Sequence, residues 1–107
     1  MAQVNIILVC SAGMSTSILV SKMREAIQAE GLDYDVKAIP STEAVSYAKE
    51  EAVDVILLGP QVRFMQGTFK KELAEKNIPI EMIQPQDYGT MNGKKVLEQA
   101  KQILNLS

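Results

Sequence analysis

The chain has 107 residues, enough for one domain of ordinary size but hardly for two. Apolar residues make up 47% and charged residues 22%, the balance of a globular core rather than of a disordered tail. Eleven Lys and Arg against thirteen Asp and Glu leave a formal charge of −2, so no basic excess invites nucleic acid. The longest strongly apolar stretch, Ile6 to Val9, falls far short of the ~20 residues a membrane span needs.

Val4 to Val9 is a short apolar run with β-branched residues, which predicts a strand buried on both faces. After a loop beginning at Cys10, the spacing predicts a helix from about Thr16 or Ser17 to Glu30. Leu19, Met23, Ala26 and Ile27 share one of its faces, and Gly31 supplies its C-terminal stop. Tyr34 to Ile39 alternates, as an edge strand with one wetter face does. Ser41 or Thr42, followed by Glu43, starts a second helix carrying Val45 and Ala48. Val53 to Leu58 repeats the buried-strand signature and stops at Gly59-Pro60. A third helix follows, with Met65, Phe69 and Leu73 at four-residue spacing and Gly67 as its weak point. A short strand, Ile80 to Ile83, and a last helix from about Gly93 to Leu104 complete the chain.

Strand and helix thus alternate four times in one continuous domain over residues 1–107, with no linker or repeat. Such alternation predicts an α/β fold, a parallel sheet covered by helices on both faces because crossovers are right-handed. The first and third strands, being the most continuously apolar, belong at the centre, which gives the order 2-1-3-4 of flavodoxin-like folds. Ligands of such sheets bind beyond the carboxyl ends of the strands, at the switch point between strands one and three. Two loops meet there, Cys10 to Ser17 and Gly59-Pro60-Gln61.

The first of these loops carries the chemistry. Cys10 is the only cysteine and there is no histidine, so an internal disulfide, a thiolate zinc cluster and Ser-His-Asp or Cys-His catalysis are all excluded within the chain. Nothing calls for a metal or a cofactor. In Cys10-Ser11-Ala12-Gly13-Met14-Ser15-Thr16-Ser17, small residues let consecutive backbone N–H groups turn inward and form an anion-binding concavity. The following helix adds its unpaired N–H groups and the positive end of its dipole, and the hydroxyls of Ser11, Ser15, Thr16 and Ser17 supply further donors. That field favours the thiolate, the nucleophilic form of Cys10, and matches the charge of a phosphoryl group carried on its sulfur. Taken one at a time, these residues have simpler roles: a lone cysteine at the end of a buried strand packs as a small hydrophobe, and Ser or Thr after it caps a helix. It is their combination at the switch point that points to function.

The spacing is similar to the phosphate loop of low-molecular-weight tyrosine phosphatases, a cysteine followed five residues later by Arg and then Ser or Thr. Thr16 stands here where those enzymes have the arginine that clasps the phosphoryl oxygens and stabilises the charge built up in transfer. Asp87-Tyr88 only loosely imitates their late general acid. A site that keeps the nucleophile without the hydrolytic machinery suits a carrier.

Continued by Leu19-Val20-Ser21-Lys22-Met23, the loop resembles the enzyme IIB component of the bacterial sugar phosphotransferase system, in its lactose/cellobiose (N,N'-diacetylchitobiose) branch. The likeness extends to Asp54-Val55-Ile56-Leu57-Leu58-Gly59-Pro60-Gln61, to Asp87-Tyr88-Gly89 and to the closing helix, so it covers essentially the whole chain as one such domain. It implies a phosphohistidine–sugar phosphotransferase component. A phosphohistidine on enzyme IIA passes its phosphoryl group to Cys10, which passes it to a sugar of the cellobiose, chitobiose or β-glucoside type held by the membrane-embedded enzyme IIC. The absence of histidine and of a membrane segment fits a cytoplasmic carrier that is simplest as a monomer. Phosphate-binding roles fall to Ser11, Ala12, Gly13, Met14, Ser15, Thr16 and Ser17.

Docking to IIA and IIC draws on Ala12, Met14, Gln61 and Tyr88, against the plainer readings of a loop Met packed on its own domain and of turn formation at Gly59-Pro60 and Gly89. Lys22 and Arg24 read most simply as a solvated face beside Glu25 and Glu30, with steering of an acidic partner as the alternative. Two other functions compete with the relay, a thiol phosphatase or arsenate-reductase-like enzyme and a non-catalytic flavodoxin-like binding module. The Thr16 position opposes the first, and the second leaves the Cys-Gly-Ser/Thr loop without a purpose.

Overall fold

The computed structural model describes residues 3–10 and 14–105. Four strands, β1 (Val4–Cys10), β2 (Tyr34–Pro40), β3 (Val55–Leu58) and β4 (Ile80–Met82), form one sheet in the order β2-β1-β3-β4. All pairings are parallel, with Val9 beside Ile39 on one side and Leu58 on the other. This is the expected flavodoxin-like order, also that of the low-molecular-weight phosphatase fold.

Alternation along β1 divides the interior in two. Ile6 and Leu8 point to one face, where they pack with Val36, Val55 and Leu57 against α1 (Met14–Glu30) and α5 (Gly93–Ile103). Ile7 and Val9 point to the other, packing with Ile56 and Leu58 against α2 (Ser41–Glu50) and α3 (Gln66–Glu72). Because both faces are covered, β3 is apolar at every position and all four of its residues are buried. Each such aliphatic side chain contributes about 1.5–3 kcal/mol by leaving water.

The helix stripe read from sequence is the buried one: Leu19, Met23 and Ile27 are all in the core. Gly31 adopts φ +67°, and the Leu32 N–H donates to the Ile27 carbonyl while the Gly31 N–H donates to Gln28, a left-handed stop that side chains with a Cβ resist. The helix begins at Met14, two or three residues before the expected start at Thr16 or Ser17. α2 begins at Ser41 itself, with Pro40 in the capping position and no side-chain cap.

The region expected to be a single third helix is broken. Pro60–Met65 is a 3₁₀ segment kinked at Val62 (φ −119°, ψ 19°), and α3 is followed by a 3₁₀ turn, Ala74–Lys76. Phe69 and Leu73 still face the core at the expected spacing. A short helix not anticipated from sequence, α4 (Pro85–Gly89), follows β4 with Pro85 in its first turn, where the missing N–H costs nothing. α5 starts where expected; its cap is Asn92, whose Oδ1 accepts from the Lys95 N–H at 3.1 Å. It approaches α1 so closely that a Cβ at Gly93 would lie 2.5 Å from backbone atoms of Lys22 and Met23.

Candidate functional site

β1 delivers Cys10 to the carboxyl edge of the sheet as the last residue of a central strand, opposite Pro40 of β2 and 2% exposed. This is the reversal point of the strand order, since β1 leads outward to β2 and the chain then returns to β3 on its other side. Ser11, Ala12 and Gly13 lie outside the described residues. Met14 and Ser15 are the first two residues of α1, so the N-terminal end of a 17-residue helix opens four residues after the sulfur. The carbonyl-bonded ladder of such a helix leaves its first N–H groups without intrahelical partners and concentrates positive potential there.

Thr16 and Ser17 part company in the first turn. Thr16 is 1% exposed, and its hydroxyl has no hydrogen-bond partner among the described residues. Ser17 is exposed and lines a groove on the α1 side of β2. Sequence treats the two hydroxyls alike, because both read as capping or phosphate-binding groups; only the packing of α1 on the sheet separates them.

The second loop of the site follows β3. The Gly59 N–H donates to the Val9 carbonyl at 2.8 Å, which pins the loop to the residue preceding Cys10. A Cβ on Gly59 would stand 3.0 Å from Gln61 Oε1 and 3.3 Å from the Val9 oxygen, so the missing side chain is what allows this approach. Gln61 is exposed and its Nε2 donates to the Tyr88 hydroxyl at 3.2 Å. Tyr88 itself is buried, its ring part of the core under α1 and α5. These two residues, expected on neighbouring loops, are therefore joined; what Tyr88 presents toward the site is its hydroxyl end rather than an open aromatic face.

Two exposed apolar side chains went unnoticed in the sequence. Ile18, next to the buried Leu19, is 53% exposed in the first turns of α1, and Phe64 in the 3₁₀ segment after β3 is 79% exposed. Their signal was available: Ile18 stands off the stripe defined by Leu19, Met23 and Ile27, and an apolar residue off the core face is a candidate contact. Among the described residues no group of three His, Cys, Asp or Glu side chains is placed to hold a metal ion, and no helix is long and apolar enough to cross a membrane.

The arrangement is that of a thiol beside an anion-favouring helix end. Comparison with known proteins gives it a family. The model of the lactose/cellobiose-specific IIB subunit of the PTS, the sugar phosphotransferase system, matches residues 5–99. The chain belongs to this IIB family. The galactose-specific EIIB component of Lactococcus lactis subsp. cremoris (strain MG1363) is 43% identical over 108 residues, covering 98% of this chain and all of that protein. The cellobiose-specific EIIB component of Lactococcus lactis subsp. lactis (strain IL1403) has the same identity and coverage. Among solved structures, the cellobiose-specific IIB component of Borrelia burgdorferi superposes with a TM-score of 0.78 at 40% identity, over 97% of this chain and 94% of that one. IIB subunits are phosphotransferase components, and the sequence-based assignment to this family is correct.

Proposed function

We propose that this IIB subunit carries a phosphoryl group on Cys10, taking it from a phosphohistidine of enzyme IIA and giving it to a sugar held by the membrane enzyme IIC. The observation that carries this reading is the position of Cys10. The only cysteine of the chain ends a central strand at the switch point, four residues before the start of a long helix.

In the first step the Cys10 thiolate attacks phosphorus in line. The S–P bond forms as the N–P bond breaks, and the donor histidine leaves as neutral imidazole once protonated. Backbone N–H groups between Gly13 and Ser17 stabilise the charge on the transferring oxygens, with Ser11, Ser15 and Ser17 as side-chain helpers. In the second step a sugar hydroxyl attacks the same phosphorus. The O–P bond forms, the S–P bond breaks, the hydroxyl proton is lost to a base or to water, and Cys10 returns as thiolate. With Thr16 in place of the phosphatase arginine, water gains no comparable clamp for hydrolysis, and the phosphocysteine persists until the acceptor arrives.

Family membership supports a sugar of the cellobiose or lactose kind. Relatives of equal identity named for galactose and for cellobiose support leaving that choice to IIC. The subunit works in the cytoplasm as a monomer and needs no cofactor. Docking of both partners draws on Ala12, Met14, Gln61 and Tyr88, a reading supported by the Gln61–Tyr88 hydrogen bond at the border of the site.

The test is the complete relay in membrane vesicles bearing a cellobiose-type IIC. Sugar phosphate is expected only when phosphorylated IIA, this protein and sugar are all present, and not with Cys10→Ser. Steady Cys10-dependent release of inorganic phosphate from an aryl phosphate, without sugar phosphate, would replace the carrier with a phosphatase.

A further inference from the structure

The sheet is open, and its two edge strands are β2 and β4. The outer side of an edge strand carries N–H and C=O groups to which a strand of another chain can add. Parallel pairing turns alternate residues toward the neighbouring strand. The Ile56 N–H donates to the Pro79 carbonyl and the Ile83 N–H to the Leu58 carbonyl. Pro79, Glu81 and Ile83 therefore face β3, while Ile80, Met82 and Gln84 turn their backbone groups outward. At the other edge the Val4 N–H donates to the Asp33 carbonyl, so the outward residues of β2 are Tyr34, Val36 and Ala38.

Long side chains from three helices reach these outward groups. Gln66 of α3 donates from Nε2 to the Ile80 carbonyl at 2.8 Å. Gln99 of α5 donates from Nε2 to the Met82 carbonyl at 2.8 Å, and its Oε1 accepts from the Gln84 N–H at a longer 3.4 Å. A residue of an adjoining parallel strand would take the same two groups, the carbonyl of one outward residue and the N–H of the next. The Gln99 amide thus stands in for one residue of a fifth strand. Because α3 and α5 cover opposite faces of the sheet, the two glutamines close over β4 from both sides. At the far edge Arg24 of α1 donates from Nη2 to the Val36 carbonyl at 2.9 Å, between the outward residues Tyr34 and Ala38. The strands themselves discourage addition in the same sense. β4 has only three residues, and β2 carries Asp35 and Lys37 and ends at Pro40, which has no N–H to pair.

We propose that Arg24, Gln66 and Gln99 close both edges of the sheet to a strand of a second copy of this chain, and so keep the subunit monomeric. The proposal rests on the monomeric state given above. A second copy is the strand donor to be excluded, because a two-fold axis sets the same edge of two copies side by side as a self-complementary antiparallel pair. Each of the three bonds also ties a helix to the sheet. The two roles separate on removal: loss of a tie lowers stability alone, whereas loss of a cap also opens an edge to association.

The experiment measures solution mass by sedimentation from micromolar to millimolar protein, with amide exchange read residue by residue and thermal midpoints recorded. The proteins compared are the wild type, Gln66→Ala/Gln99→Ala, Arg24→Ala/Gln66→Ala/Gln99→Ala, and a control, Gln102→Ala, at an exposed position of α5. Alanine removes each cap without adding a large apolar surface and keeps the helices favourable. The wild type and the control are expected to keep the mass of one chain throughout. The double variant is expected to approach twice that mass as concentration rises, with exchange at the Ile80 and Met82 amides slowed about tenfold or more. In the triple variant the slowing extends to Tyr34, Val36 and Ala38. If the triple variant does not fold, the double variant decides. A folded double variant with a lower midpoint and an unchanged mass overturns the caps and leaves three ties of helix to sheet. A wild type that dimerises with its outward amides slowed overturns both the caps and the monomer. A wild-type dimer whose outward amides still exchange freely overturns the monomer alone.

Discussion

Gln61 donates from Nε2 to the hydroxyl of Tyr88 at 3.2 Å, and this bond joins the segment after β3 to α4 beside the edge where Cys10 ends its strand. Since Tyr88 is buried and Gln61 is exposed, the bond closes the core at the site's border. A hydrogen bond in this setting has a net worth of about 1 kcal/mol. Tyr88→Phe and Gln61→Leu should each destabilise the fold by roughly that amount, and the double variant should show a coupling of about 0.5–1 kcal/mol in urea denaturation. Strict additivity would mean that the two residues act independently.

The Thr16 hydroxyl is buried without a partner among the described residues, and a desolvated, unpaired hydroxyl costs about 1–3 kcal/mol. Thr16→Val keeps the shape and removes the polar atom, so stability should rise by about 1 kcal/mol. Cys10 phosphorylation should continue in this variant, because the backbone donors are untouched. Loss of a kilocalorie or more in chemical denaturation would show that the hydroxyl is paired in solution.

Two helical glycines should respond in opposite directions. Gly93→Ala drives a methyl to 2.5 Å from the α1 backbone, which cannot yield as a flexible side chain can, and should destabilise by about 1–3 kcal/mol. Gly67, in α3, has nothing within 4 Å of an added Cβ, so Gly67→Ala should stabilise by about 0.5–1 kcal/mol through helix propensity. Denaturation midpoints of the two variants on the same side of wild type would contradict this packing of α5 on α1.

Most of the frame was legible because it rests on burial. The apolar runs at Val4 and Val53 could only be strands covered on both faces, and their central places fixed the switch point, hence the setting of Cys10. The stretch from Pro60 to Lys76 was less legible. Met65, Phe69 and Leu73 keep helical spacing, yet Val62 and Leu73 leave helical geometry and divide the segment into three short pieces. Spacing records which side chains face the core and is blind to such local breaks. The different fates of Thr16 and Ser17 were hidden for a related reason, as their chemistry is nearly the same and only the contact of α1 with the sheet distinguishes them.

The most direct test of the central claim is an intact mass after incubation with phosphoenolpyruvate, enzyme I, the histidine carrier protein and a cellobiose-type IIA. The account predicts one added phosphoryl group, absent when IIA is omitted and absent in Cys10→Ser. An unmodified mass with active IIA, or an adduct that survives Cys10→Ser, would contradict it.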